Sequence, residues 1–284
     1  MGFYQPSQIV QDAERHGVIV ERIDANKSGW DCSICYDSSG KGVLRLGLRL
    51  ISGLRRDHAE AIEKSVQLEG EFDSIDSLWA RNTSVTKSTL RTLANADVFD
   101  SVALSRRPAH WNIHALASKP APLDALFTKR SHGHEVRLPQ SNTQRDMFQD
   151  YATTGLSLRA HPLEFLREYL STRGARTAEA LSVTNGLKVG TRIATAGLAI
   201  TRQRPGTAKG VVFITLEDET GTINLIIRPT LFETSSSIIM RSSILYTEGK
   251  LERIGEVIYL DVERLESLDG KLQERPKSAE PYSC

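Results

Sequence analysis

Over the last third of the chain, apolar residues recur at every second position. The stretches TRIATAGLAITRQR, VVFITLED, TINLIIR, SILYTEGKLER and VIYLDVERLES each alternate in this way, which predicts five strands. PTLFETSSSIIM, between the third and fourth, predicts a helix. Five strands with a helix after the third is the order of an OB-fold, a small barrel whose second and third strands and nearby loops commonly bind single-stranded oligonucleotides.

The first part of the chain has another texture. Pro6, the spacing of Ile9, Val10 and Ala13, and a stop at Gly17 predict a helix, and VIVERI predicts a short strand after it. Leu44, Leu46, Leu48 and Leu50 alternate with Arg45, Gly47 and Arg49, the period of a half-buried strand from Val43 on. LRRDHAEAIEKSVQLEG places Ala59, Ile62 and Val66 on one face and ends on a glycine, which predicts an amphipathic helix. SIDSLWAR, TKSTLRTLANA and SRRPAHWNIHALA predict three more short helices parted by turns, a hairpin arrangement whose helices bury their faces against one another. From 118 to 150, prolines, polar residues and both charges mix without period, the composition of a linker. The expectation is an α+β chain of two domains: a helical region over 45–117, a linker over 118–150, and a five-stranded barrel over 151–284.

Composition narrows the chemistry only a little. Lys+Arg number 36 against 35 Asp+Glu in 284 residues, so net charge argues neither for nor against a nucleic-acid partner, and placement must decide. No stretch approaches the ~18 consecutive apolar residues of a membrane span, and MGFYQPSQIVQDAERHG has no apolar core with a cleavage site, so no membrane partner is expected and the chain reads as cytoplasmic. Three cysteines, one of them the last residue, fit a reducing compartment. Cys32 and Cys35 form a lone CxxC; a tetrahedral zinc site needs two more ligands, and HGHE at His132 to Glu135 is the only other candidate. Surface residues without a metal are the expectation there.

Two places carry candidate chemistry. In the second strand, alternation sends Val212, Ile214 and Leu216 one way and Phe213 and Thr215 the other; in the third, Ile223, Leu225 and Ile227 oppose Asn224, Ile226 and Arg228. The aliphatic set fills the barrel, which leaves Phe213, Thr215, Asn224 and Arg228 on the open face, where a ring stacks on a base and a guanidinium meets phosphate. Arg202, Arg204 and Lys209, in a loop with Gly206 and Gly210, then stand at the rim as a clamp over a single strand. The alternative is a solvated hairpin loop with Phe213 in the core. In the helical region, ISGL before RRDHAEAI places Gly53 at a turn that opens a helix, where unpaired backbone N–H groups and the helix dipole attract a phosphate and Arg55 and Arg56 follow at once. Lys87, Arg91, Arg106 and Arg107 are available to further turns of the same kind. Glu217, Asp218 and Glu219 fall at a hairpin turn, where turn hydrogen bonds are their expected role. Neither a carboxylate cluster for paired Mg²⁺ ions nor a glycine-rich phosphate loop stands out in the sequence.

RQRPGTAKGVVFITLEDETGTINLIIRPTLFE resembles the bacterial error-prone DNA polymerases of the C family, relatives of the replicative polymerase III alpha subunit. ATTGLSLRAHPLEFLR, GFYQPSQIVQDAERHGV and LRLGLRLISGL resemble segments of the same family, so the similarity spans nearly the whole chain. The resemblance implies DNA-templated synthesis in damage-induced mutagenesis and lesion bypass, with tandem helix-hairpin-helix elements holding duplex DNA and the OB-fold near single-stranded template. It implies that 1–44 is the end of a fingers-like region. Its implied partners are the amino-terminal part of the polymerase, a catalytically inert polymerase-like protein and the sliding clamp. In that family the palm, with its catalytic aspartates, precedes the segment that GFYQPSQIV resembles. The chain is therefore expected to be a carboxy-terminal piece that is inactive alone and holds no cofactor, Mg²⁺ and dNTPs belonging to the palm. NADVF departs from the pattern, with Asp97 where a glycine would best serve phosphate binding. The alternative function is a self-standing single-stranded-DNA-binding accessory protein of repair or recombination.

Overall fold

The computed structural model describes residues 6–36, 40–116, 142–182, 187–254 and 257–273. The chain divides into two compact units, Met1–Arg159 and Ala160–Cys284.

In the first unit α1 (Pro6–Arg15) leads into a three-stranded sheet of β1 (Ile19–Glu21), β2 (Ser33–Tyr36) and β3 (Gly42–Arg45). β3 is central, parallel to β1 and antiparallel to β2. The strand expected from the alternating leucines is cut short at Arg45, and Leu48–Leu50 forms a 3-10 turn instead. Gly47 explains the break. A Cβ there would lie 2.4 Å from the Asp31 carbonyl carbon, so only glycine lets the chain press against 30–32. Leu48 and Arg49 then donate to the Gly29 and Trp30 carbonyls, which leads the backbone out of the sheet. Cys32 and Cys35 are free and exposed; His132 to Glu135 lie outside the described residues.

The helices follow as the spacing predicts: α2 (Arg56–Glu69), α3 (Ile75–Arg81), α4 (Lys87–Asn95) and α5 (Arg106–Ala115). Gly70, at φ +84°, ends α2. Ser74 and Ser77 cap α3 reciprocally, and the Thr86 hydroxyl accepts from the Thr89 N–H to cap α4. Helices this short are marginal alone. Ile62, Ile75, Leu78, Leu90, Leu93, Phe99 and Ile113 are almost wholly buried together, and that shared core holds them. Residues 118–141, most of the expected linker, lie outside the described residues. From 143 the same stretch forms a helix, α6 (Thr143–Thr154), and the first unit runs on through it to Arg159. Arg106 explains this: buried, it meets Asp146 at 3.0 Å and Asp150 at 2.5 Å, both on α6. No local periodicity announces such a contact.

The second unit opens with a 3-10 turn at Pro162–Leu166, α7 (Arg167–Thr172), the short β4 (Ala175–Arg176) and α8 (Ala178–Ser182). The five expected strands follow as β5 (Arg192–Gln203), β6 (Val212–Glu217), β7 (Thr222–Ile227), β8 (Ile244–Ile254) and β9 (Val257–Ser267), with α9 (Pro229–Arg241) between β7 and β8; α10 (Asp269–Gln273) comes last. The strands run β5-β6-β7-β9-β8, and β8 pairs back with β5 to close the barrel. β7 and β9 are parallel, while the other pairs in the ring are antiparallel. Val212, Ile214, Leu216, Ile223, Leu225 and Ile227 fill the interior with Leu251 and Leu260, as alternation predicted. At Gly249, where the β8–β9 register shifts, a Cβ would lie 2.1 Å from the Asp261 carbonyl oxygen. Glycine alone fits a bend that tight. The chain is thus a two-domain α+β protein, a helical unit followed by a five-stranded OB-fold barrel.

Candidate nucleic-acid interfaces

The turn before α2 is held from below. Ile51 and Leu54 are buried, the Leu54 N–H donates to the Ile51 carbonyl at 3.2 Å, and Gly53 between them takes φ +76°. A Cβ at Gly53 would meet nothing within 4 Å, so its left-handed backbone, and not lack of space, requires glycine. Arg55 is the N-cap of α2, and its side chain makes no capping hydrogen bond. Arg55 and Arg56 are both exposed, but neither is a bare cation. Arg55 holds Asp57 through two hydrogen bonds of 2.9 and 2.5 Å, which pulls the Asp57 carboxyl down to about 2. Arg56 donates to Glu60 at 2.7 Å and lies 5.9 Å from the Trp30 ring. A phosphate at this turn competes with two exposed carboxylates.

The later turns differ from expectation in useful ways. Lys87, on the first turn of α4, donates to the Leu116 carbonyl at 2.6 Å and so closes the end of α5. Arg91 is exposed on α4. Arg106, counted among the available cations, is a buried anchor for α6, as described above. Asp97 takes φ +56°, the backbone that glycine would have served. Its carboxylate pairs with Arg159 and lies 3.8 Å from Arg22, so this turn presents a half-buried acid where a phosphate would sit.

On the barrel, the register sets Gln203, Phe213, Ile226 and Asp261 in one row and Thr201, Thr215, Asn224 and Tyr259 in the next. Phe213, Thr215, Asn224 and Ile226 are half-buried and alternate with the core residues, so Phe213 is on the outer face. The Thr215 hydroxyl donates to Asn224 Oδ1 at 3.0 Å. Tyr259 is a second ring on this face that sequence reasoning missed. It reaches Asn224 through the parallel β7–β9 pairing, across 35 positions, and no local signal carries that information.

The rim is less basic than the loop's composition suggests. Arg202 is not a loop cation: its guanidinium donates to the Ile239 carbonyl at 2.7 Å and to the Ser242 carbonyl, capping α9. Burial lowers its pKa. Arg204 is exposed over the Phe232 ring, 4.6 Å from its centroid, and Lys209 is exposed at φ +47°. Arg228 grips both Asp261 carboxylate oxygens, Nε donating to Oδ1 at 3.0 Å and Nη2 to Oδ2 at 2.7 Å, with Glu252 at 3.6 Å. The structure therefore brings Phe213, Tyr259 and Arg228 onto one face and removes Arg202 from it.

The acidic side chains at the barrel turn have protein partners. Asp218 accepts from the Thr220 and Gly221 N–H groups and from Ala178 N–H at the start of α8, the turn role expected of it. Glu219 is held by Arg167 at 2.6 Å, and Glu217 is buried with His161 Nε2 at 3.6 Å. Asp97, Asp146 and Asp150 converge too, but on Arg106 and Arg159. Among the described residues no group of His, Cys, Asp or Glu side chains is arranged to hold a metal ion.

A family model described as a helix-hairpin-helix motif matches residues 17–109, which contain the Gly53 turn and α2 to α4. The chain is 41% identical over 282 residues to error-prone DNA polymerase 2 of Rhizobium meliloti strain 1021, covering 96% of this chain and 25% of that protein. This chain is homologous to part of the error-prone DNA polymerases. Error-prone DNA polymerase 2 of Agrobacterium fabrum strain C58 matches at the same identity and coverage, and the error-prone DNA polymerase of Caulobacter vibrioides is 40% identical over 300 residues, with 96% of this chain and 27% of that one covered. The resemblance read from the sequence is borne out. The chain spans about a quarter of the length of the error-prone polymerases it matches. Asparaginyl-tRNA synthetase from Pyrococcus horikoshii overlaps 28% of this chain and 20% of its own at 24% identity, but with a TM-score of 0.24 that overlap carries no argument. Among the described residues no helix is long and apolar enough to cross a membrane.

Proposed function

We propose that this chain is the carboxy-terminal DNA-gripping part of an error-prone DNA polymerase. Its helix-hairpin-helix unit holds duplex through phosphates, and its barrel guides single-stranded template. The observation that carries the reading is the match to error-prone polymerases over 96% of the chain at 41% identity, which runs through both units. The Gly53 turn and the start of α2, where Asp57 Oδ1 already accepts from the His58 N–H, supply backbone donors for a phosphate. Arg55, Arg56, Arg91 and Lys87 supply the surrounding charge, and Phe213, Tyr259, Arg204, Lys209 and Arg228 the strand face. On this reading Mg²⁺ and dNTPs bind in the polymerase's palm, and the chain acts with that palm, an inert polymerase-like partner and the sliding clamp.

Two measurements test it. Duplex affinity should fall steeply with salt and hardly depend on sequence, and Arg55→Ala with Arg56→Ala should weaken all duplexes about equally while reducing the salt slope by about one to two. A loss confined to one sequence would mean base readout and refute the backbone grip. Primer extension by the chain alone, with Mg²⁺ or Mn²⁺, should give no incorporation. Sustained synthesis that copurifies with the chain to homogeneity would overturn the assignment of catalysis to the palm.

A further inference from the structure

α4 reads KSTLRTLAN and α5 reads RRPAHWNIHA, so neither helix carries a carboxylate. Between them they hold Lys87, Arg91, Arg106, Arg107, His110 and His114. At 100° per residue, Arg107, Trp111 and His114 fall within about 60° of one another on α5. Arg106, Ala109 and Ile113 are buried on the other side of that helix. Trp111 is 55% exposed, although an indole gains more than most side chains from burial. His114 in this stripe and Arg91 on α4 are both exposed. His110 lies next to it, with Nε2 2.8 Å from Asn95 Oδ1, and its pKa is lowered by burial and then by the positive charges of His114, Arg106 and Arg91.

We infer that Trp111, with Arg91, Arg107 and His114, forms a binding site for single-stranded nucleic acid, a base stacking on the indole and phosphates meeting the two guanidinium groups and the imidazole N–H. A cationic surface with no acid in either helix suits a polyanion and disfavours an ordinary protein partner. The exposed ring selects among polyanions, because a duplex keeps its base faces stacked inside and a single strand presents them. The site shares Arg91 with the hairpin grip proposed above and extends it to a single strand, and Trp111 lies past the 17–109 stretch that matches the helix-hairpin-helix motif.

The chain's other two tryptophans give the test its contrast, since Trp79 is buried and Trp30 half-buried. Oligothymidine added to the full chain should quench tryptophan fluorescence saturably, and Trp111→Phe should abolish most of that quench. The quench should persist in a Phe213→Ala, Tyr259→Ala chain, which separates this site from the barrel. In that background Trp111→Ala should weaken oligothymidine binding about five-fold or more, as loss of one stacked base does, and Arg91→Ala should flatten its salt dependence. An undiminished quench in Trp111→Phe would overturn the inference. So would equal quenching by blunt duplex, or failure of iodide to reach Trp111 in the free chain, which would mean that the chain itself covers the patch.

Discussion

Removing the Phe213 and Tyr259 rings tests the barrel face most directly, because the register fixes their separation. Phe213 pairs with Ile226 on β7, whereas Tyr259 pairs with Asn224 from the far side of that strand. Two strand spacings across and two residues along put their Cα atoms about 12 Å apart. That is too far for one base to stack on both, so each ring serves its own base. Losing a stacked base costs about 1–3 kcal/mol, or roughly 5- to 150-fold in Kd. Effects at sites farther apart than about 10 Å add to within about 0.5 kcal/mol. Phe213→Ala and Tyr259→Ala should therefore each weaken oligothymidine binding by a factor in that range, and the double variant by their product. Both rings are half-buried, so truncation should cost the fold less than the about 3–5 kcal/mol of a fully buried phenylalanine. Fluorescence anisotropy with a labelled oligothymidine, beside circular dichroism of each variant, measures both effects. A change under two-fold in a folded Phe213→Ala chain would refute the stacking face. Strong non-additivity would refute the two-base geometry, and an unfolded barrel would mean that Phe213 acts as a core residue.

Three further outcomes follow from side chains whose roles the tertiary contacts set. Arg106→Ala strips a buried guanidinium from Asp146 and Asp150 and should cost the first unit about 3–5 kcal/mol; a urea transition of that unit moved by under about 1 kcal/mol would show the cluster to be dispensable. Arg202→Leu should lower barrel stability through loss of the α9 cap while leaving the salt dependence of oligothymidine binding unchanged, and a salt slope smaller by about one would restore Arg202 to the strand face. His110 has a folded pKa below its ordinary value of about 6.5, so unfolded chains bind the proton more tightly; its contribution is present above that pH and is lost as pH falls below it. Proton NMR of the folded chain should place the His110 midpoint below 6.5, and a midpoint above it would reverse the sign.

Local pattern alone determined a large share of this protein. The alternation of Val212, Ile214 and Leu216 with Phe213 and Thr215, and the helix PTLFETSSSIIM after the third strand, were enough to specify the barrel and its inner face, because side chains on a strand alternate regardless of partner. Ala59 and Ile62 placed the buried face of α2, and Gly53 marked its turn, since a left-handed backbone needs glycine whatever surrounds it. What the sequence left open depends on contacts between distant positions. Arg202 and Arg106 read as free cations, and only the carbonyls at the end of α9 and the carboxylates on α6 show them to be internal. Gly47 looked like one more step in a leucine alternation until the backbone at 30–32 closed against it. Tyr259 joined the strand face through a parallel pairing across 35 positions. Charge says what a side chain can bind, but the partner that reaches it first is chosen by the fold.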